Sequence, residues 1–221
     1  MTLPNFSTYF ESNDIDQQLS FLDLDVAVLR DAALQGLSAW ASCTANHPPT
    51  YPGTVQWAEG TRALRESLLT RGWSRKNEAN LPLVVNAKGT IAIAIASGDA
   101  QTGKSEGFPG TRSAKGPKTV EAIRANRQQL HFEFMDIEPV LASINTPGRS
   151  TWLFLTYRDS SLKQLRCELS QPVSITAEGQ VNGFAKRIIL PVVPFGEDLR
   201  LDDIAKVTQS PEITVEIKQL G

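Results

Sequence analysis

Leu81-Pro82-Leu83-Val84-Val85-Asn86-Ala87-Lys88-Gly89-Thr90-Ile91-Ala92-Ile93-Ala94-Ile95-Ala96 is the stretch where the apolar period of the chain changes. Residues 81–85 are a short apolar run, Asn86 to Gly89 has the composition of a hairpin turn, and residues 90–96 alternate strictly. A period of two is that of a strand, whose successive side chains point to opposite faces. Ile91, Ile93 and Ile95 face one way. Ala92, Ala94 and Ala96 face the other, where small side chains call for a closely packed neighbour; a helix is expected there.

Upstream of this hairpin the period is helical. Val26, Leu29, Ala33, Leu37 and Trp40 recur at steps of three and four, which predicts an amphipathic helix over 25–44, with Asp23 or Asp25 as N-cap. His47-Pro48-Pro49-Thr50-Tyr51-Pro52-Gly53 reads as a connector. A second helix is predicted over 55–71, with Trp57, Leu64 and Leu68 on one face. Glu59, Arg62, Arg65 and Glu66 lie on its solvated side, and Gly72 caps it. Residues 1–22 are polar and acidic, an expected irregular lead-in.

Downstream, residues 97–118 carry no periodic pattern, and a helix is predicted over 119–130 with Thr119 as N-cap. A helical turn at 138–144 ends at the breaker Asn145-Thr146-Pro147-Gly148. Strands are expected at 151–158, 164–169, 173–176, 185–193 and 212–217, the last an edge strand opened by Pro211. Short turns between sequential strands imply antiparallel pairing. Helices in one half and strands in the other define an α+β fold: N-terminal helices on a largely antiparallel sheet, in a single domain over 23–221.

The 221 residues are 41% apolar and 21% charged, enough for a real core. Net charge is −2, which argues against a surface that is basic throughout, as general nucleic-acid or membrane binding requires. Cys43 and Cys167 are far apart, so reduced buried thiols are expected rather than a disulfide. The first residues have neither a basic nor an apolar leader pattern, and no apolar run reaches membrane-spanning length. A cytoplasmic location is expected.

Gly98-Asp99-Ala100-Gln101-Thr102-Gly103-Lys104-Ser105 matches the P-loop pattern G-x-x-x-x-G-K-[ST] and follows a predicted strand. In such a site Lys104 would reach phosphates and Ser105 would meet Mg²⁺, with Asp159 a formal candidate for the partner carboxylate. The motif works only where its end opens a helix aimed at the phosphates. Glu106-Gly107-Phe108-Pro109-Gly110 follows instead, and no helix can begin at Ser105 in that company. A nucleotide-binding enzyme is thus the alternative reading, tested by whether a helix begins there.

The same region carries a basic segment. Lys104, Arg112, Lys115, Lys118, Arg124 and Arg127 face only Glu106 and Glu121, a local charge of +4. Loops this long in compact domains are usually either functional or disordered, and glycines, cations and a helix N-terminus suit anionic oxygens. Contact with nucleic acid or a protein partner through 98–127 is expected, although aromatic interleaving for base stacking is sparse, Phe108 being the only aromatic inside the loop. A solvated loop whose charges serve only solubility is the bland alternative.

Other chemistry is thin. Two histidines, His47 and His131, and two cysteines show no zinc spacing. The aspartates at 14 and 16 and at 198, 202 and 203 do not match a Ca²⁺ loop. A metal-dependent nuclease could draw on Asp99, Asp136 or Glu168 from separate strands, though no pattern selects them. No cofactor and no metal are expected.

Gly72-Trp73, Gly98-Asp99, Thr102-Gly103, Lys115-Gly116-Pro117, Thr119 and Asn126 together resemble an uncharacterised bacterial family associated with plasmids and integrated elements. The resemblance covers about the middle quarter of the chain. It implies an accessory-genome protein of a mobile-element or phage-related system and carries no activity. It also implies that Gly98, Asp99, Thr102, Gly103, Lys115 and Gly116 shape the loop while Lys104 is incidental.

Overall fold

The computed structural model describes residues 7–9, 12–134 and 148–196, with the backbone alone at 7 and 131–134. Twelve elements follow one another: β1 (Ser7–Tyr9), α1 (Ser12–Phe21), α2 (Val26–Ala41), α3 (Tyr51–Leu69), β2 (Ser74–Glu78), β3 (Leu81–Val85), β4 (Ile91–Ser97), α4 (Pro117–Phe134), β5 (Ser150–Asp159), β6 (Gln164–Ile175), β7 (Val181–Ile189) and β8 (Val193–Pro194). The fold is α+β. One mixed sheet of eight strands runs in the order β1-β7-β6-β5-β4-β3-β2, with β8 paired to β6.

The isoleucine–alanine alternation separates two cores. Ile93 and Ile95 join Leu29, Leu37, Leu64, Leu68, Trp152, Phe154 and Leu169 beneath α1, α2 and α3. Ala92, Ala94 and Ala96 join Leu83, Leu153, Leu155, Phe184 and Ile123 of α4 on the other face. A helix does cover the alanine face, and it is α4. Both faces of the sheet therefore carry helices, and one of the four is not N-terminal. Full burial of a leucine or phenylalanine contributes about 1.5–3 kcal/mol, so these two layers dominate the stability.

Most pairings are antiparallel, but β4 and β5 run parallel, from Ile91↔Ser150 to Ser97↔Thr156. Their connection includes α4 and is long enough for the crossover that parallel strands need. β1 is also parallel, to β7. The expected irregular lead-in is thus partly ordered: α1 buries Ile15 and Leu19 and β1 extends the sheet.

Helix boundaries differ in instructive ways. Asp25 caps α2, its Oδ1 accepting the Val28 N–H at 2.9 Å. α3 begins at Tyr51 because Pro52 sits in the first turn, where its missing N–H costs nothing. α4 begins at Pro117, and the Thr119 N–H donates to Gly116 O, so Thr119 is inside the helix and not its cap. Arg65 is not on a purely solvated face: it donates to Lys76 O, Asn77 Oδ1 and Leu83 O, tying α3 to β2 and β3. The two segments expected as strands at 164–169 and 173–176 form one strand, β6, with register shifts between Gln171 and Ile175.

Cys43 and Cys167 are both free thiols; Cys167 is buried, and burial pushes its thiol well above the ordinary range, while Cys43 is only half-buried. No helix among the described residues is long and apolar enough to cross a membrane. The readings at 138–144 and 212–217, and those on Asp136, Asp198, Asp202, Asp203 and the His131 side chain, lie outside the described residues.

Candidate partner-binding loop

The 98–116 segment leaves the C-terminal end of β4 and folds back across the α4 side of the sheet. Its base is closed by an isolated antiparallel bridge between Gly98 and Thr111. Asp99 closes it further: Oδ2 accepts the Gly110 N–H at 2.8 Å and Oδ1 the Gln101 N–H at 2.9 Å. Thr111 fastens the other arm, donating its N–H to Val181 O and accepting the Val181 N–H on Oγ1.

The middle of the loop is held from beneath by two residues distant in sequence. Glu168 on β6 is fully buried, and four donors satisfy its carboxylate. Ser170 Oγ and Arg187 Nε donate to Oε1 at 2.7 and 3.1 Å; the Gly103 N–H and Arg187 Nη2 donate to Oε2 at 2.8 and 2.6 Å. Arg187 turns two further donors to loop carbonyls, Gly107 O at 2.7 Å and Lys104 O at 3.0 Å. Arg166 adds a bond to Ala100 O at 3.1 Å and an ion pair with Asp159 at 3.2 Å. A buried ion pair tolerates burial best when its remaining hydrogen-bonding positions are filled, and for Glu168 and Arg187 the loop backbone supplies those partners.

Glycine is required at several points of the loop, most sharply at two. Gly103 has φ +72, and a Cβ there would meet Arg166 Cβ at 2.8 Å. Gly98 lies against Thr102, whose fully buried Oγ1 has no partner among the described residues; a Cβ at 98 would collide with it. Gly116 has open space around it.

These contacts bear on the P-loop pattern. The helix after the motif begins at Pro117, not at Ser105. The Gly103 N–H, which a P-loop would turn to phosphate, donates to a carboxylate of the chain itself, and the Lys104 carbonyl is held by Arg187. An anion already occupies the cradle. Asp159 is engaged as well, its Oδ1 accepting from Ser161 and Leu162. Asp99 and Glu168, two of the nuclease candidates, are consumed in loop closure, and no group of three metal-binding side chains exists among the described residues.

The six cations do not share one setting. Lys104 and Arg112 are exposed on the loop. Lys115 is half-buried, its N–H on Gly179 O, and burial lowers the pKa of its ammonium. Lys118 pairs with Glu121 at 2.6 Å on the first turn of α4, while Arg124 and Arg127 lie exposed further along that helix.

The sequence names Phe108 as the loop's aromatic but does not show how far it is displayed. Phe108 is 90% exposed, while its neighbour Pro109 is buried and Gly107 and Gly110 are bonded on either side. The signal was available: an aromatic residue bracketed by Gly107 and Pro109-Gly110. Also unforeseen was the cation–aromatic pair beside the loop, where the Arg158 guanidinium lies 3.7 Å from the Trp40 ring centroid. No family model, curated protein or solved structure matches the chain.

Proposed function

We propose that this chain is a non-enzymatic binding protein that contacts single-stranded nucleic acid through the 98–112 loop, as part of a bacterial mobile-element or phage-related system. The observation that carries this reading is the exposure of Phe108 on a loop that a buried ion pair holds in one conformation. An exposed phenylalanine forgoes about 1.5–3 kcal/mol of burial, and a loop of glycines would normally let it fold inward. Here the backbone on both sides is fastened, so the ring is presented in advance of binding. Pre-organisation lowers the ordering cost of association.

Single strands are bound by stacking platforms beside cations, a combination tolerant of sequence. Phe108 supplies the ring, and exposed Lys104 and Arg112 supply the charge. The net charge of −2 then acts in favour of locality, since phosphates are attracted to this face and not to the whole surface.

Fluorescence anisotropy with a labelled 12-nucleotide single strand tests the reading. Phe108→Ala and the pair Lys104→Gln with Arg112→Gln are each expected to weaken binding about tenfold. Binding that neither variant changes, or no binding at low salt, would turn the loop toward a protein partner.

A further inference from the structure

At the same end of the sheet lies a cleft of about 310 Å³ between the end of α2 and the β5–β6 turn. Leu37, Ala41 and Phe195 form apolar wall, and Trp40 and Arg158 stand opposite with charge and ring together. Ligand sites commonly fall in a range of about 300–1,000 Å³, so this one has room for a single nucleotide.

Arg158 is the residue that asks for a ligand. Its guanidinium is seated on the Trp40 ring and donates to Ser160 Oγ, which fixes its position. Two arginines at this end of the sheet are neutralised, Arg166 by Asp159 and Arg187 by Glu168. Among the described residues no carboxylate pairs with Arg158. Burial lowers its pKa, and the like charge of Arg112 lowers it further. A positioned, partly desolvated guanidinium beside another cation is satisfied by anionic oxygens, and its planar fork suits phosphate.

We infer that this cleft is a subsite for one nucleotide of the bound strand, its phosphate on Arg158 and its base against the Leu37–Ala41–Phe195 wall. The inference rests on the loop reading above: Arg112, at the end of the loop with its N–H on Ser97 O, is near enough to Arg158 for its charge to act there. Phosphate supplies the charge complementarity and the base the apolar burial. Neither adenosine nor inorganic phosphate alone supplies both.

Isothermal titration with AMP, adenosine and inorganic phosphate, alongside a 12-nucleotide oligoadenylate, tests this. AMP is expected to bind more tightly than either fragment. Arg158→Gln is expected to weaken AMP about tenfold or more, and Arg158→Lys to lose less. Phe108→Ala should weaken the oligonucleotide. ¹H–¹⁵N spectra of the unaltered protein give a readout independent of any variant: AMP should shift the Ala41 and Phe195 amides. Shifts confined elsewhere, or AMP affinity indifferent to Arg158→Gln, would overturn the subsite. Should the oligonucleotide still need Phe108 in that case, the loop reading stands alone; should AMP bind while the oligonucleotide does not, the loop reading falls and the cleft is a mononucleotide site, not a subsite of a strand.

Discussion

Glu168 and Arg187 meet across neighbouring strands as a buried two-point ion pair, and each also holds the backbone of a loop more than sixty residues earlier in the chain. Glu168→Gln leaves the Arg187 charge buried without its counter-ion. Breaking one side of such a pair costs about 3–5 kcal/mol. Urea denaturation should show a loss of that size, and the double change Glu168→Leu with Arg187→Met should recover part of it. Recovery stays partial because Gly103 N–H, Gly107 O and Lys104 O lose their partners. A loss below about 1 kcal/mol would mean the pair does not hold the loop.

Gly103 and Gly116 should respond differently to alanine. Gly103 combines φ +72 with a close approach to Arg166 Cβ, so Gly103→Ala is expected to cost about 1–3 kcal/mol. Gly116→Ala, in open space, should fall within about 0.5 kcal/mol of the unaltered protein. Equal effects in thermal denaturation would contradict the loop geometry.

Asn126 replaces a strand partner. Its Nδ2 donates to Thr151 O at 2.7 Å and Pro172 O at 2.9 Å, and its Oδ1 accepts the Thr151 N–H at 2.8 Å. This lies where β5 runs past its first pair with β6, Leu153↔Ser170, and where β6 shifts register at Pro172. Asn126→Leu strands three buried backbone groups, each costing about 1–3 kcal/mol, and should destabilise by at least about 3 kcal/mol. Asn126→Asp, which keeps the acceptor, should be milder only if the Thr151 N–H dominates. Amide exchange at Thr151 reads the difference directly.

What the sequence made legible follows from periodicity. Ile91 to Ala96 announced two faces, and the spacing from Val26 to Trp40 announced α2. Strand β2, Ser-Arg-Lys-Asn-Glu, was illegible because it is an edge strand whose residues are exposed but for the last, so no apolar alternation marks it. α1 escaped because only Ile15 and Leu19 are buried in ten residues. The glycines of the loop were visible, but its order was not. That order comes from Glu168, named from the sequence only as a possible nuclease carboxylate, and Arg187, which nothing local singles out; their meeting is a fact of register, with Glu168 opposite Ile189 and Arg187 opposite Ser170.

Glu78 gives a pH signature. The hydrogen bonds from Arg149, at 2.8 and 2.9 Å, hold its carboxyl below the usual range, with the opposing charges of Arg149 and Lys76 assisting against burial. A depressed folded pKa contributes stability above the unfolded value of about 4.3 and loses it as pH falls through the folded value. The stability difference between the unaltered protein and Glu78→Gln should thus be steady above about pH 5 and shrink below about pH 4. A difference that grows on acidification would contradict the pairing.

The salt dependence of single-strand binding tests the central claim most directly. Each phosphate neutralised on a single strand contributes a slope of about −0.7 in log K against log salt. Contact through Lys104, Arg112 and Arg158 predicts a slope of about −2, reduced by one such step in Arg112→Gln and unchanged in Phe108→Ala, which lowers affinity without altering charge. A slope near zero, or one that Arg112→Gln leaves intact, would contradict the account.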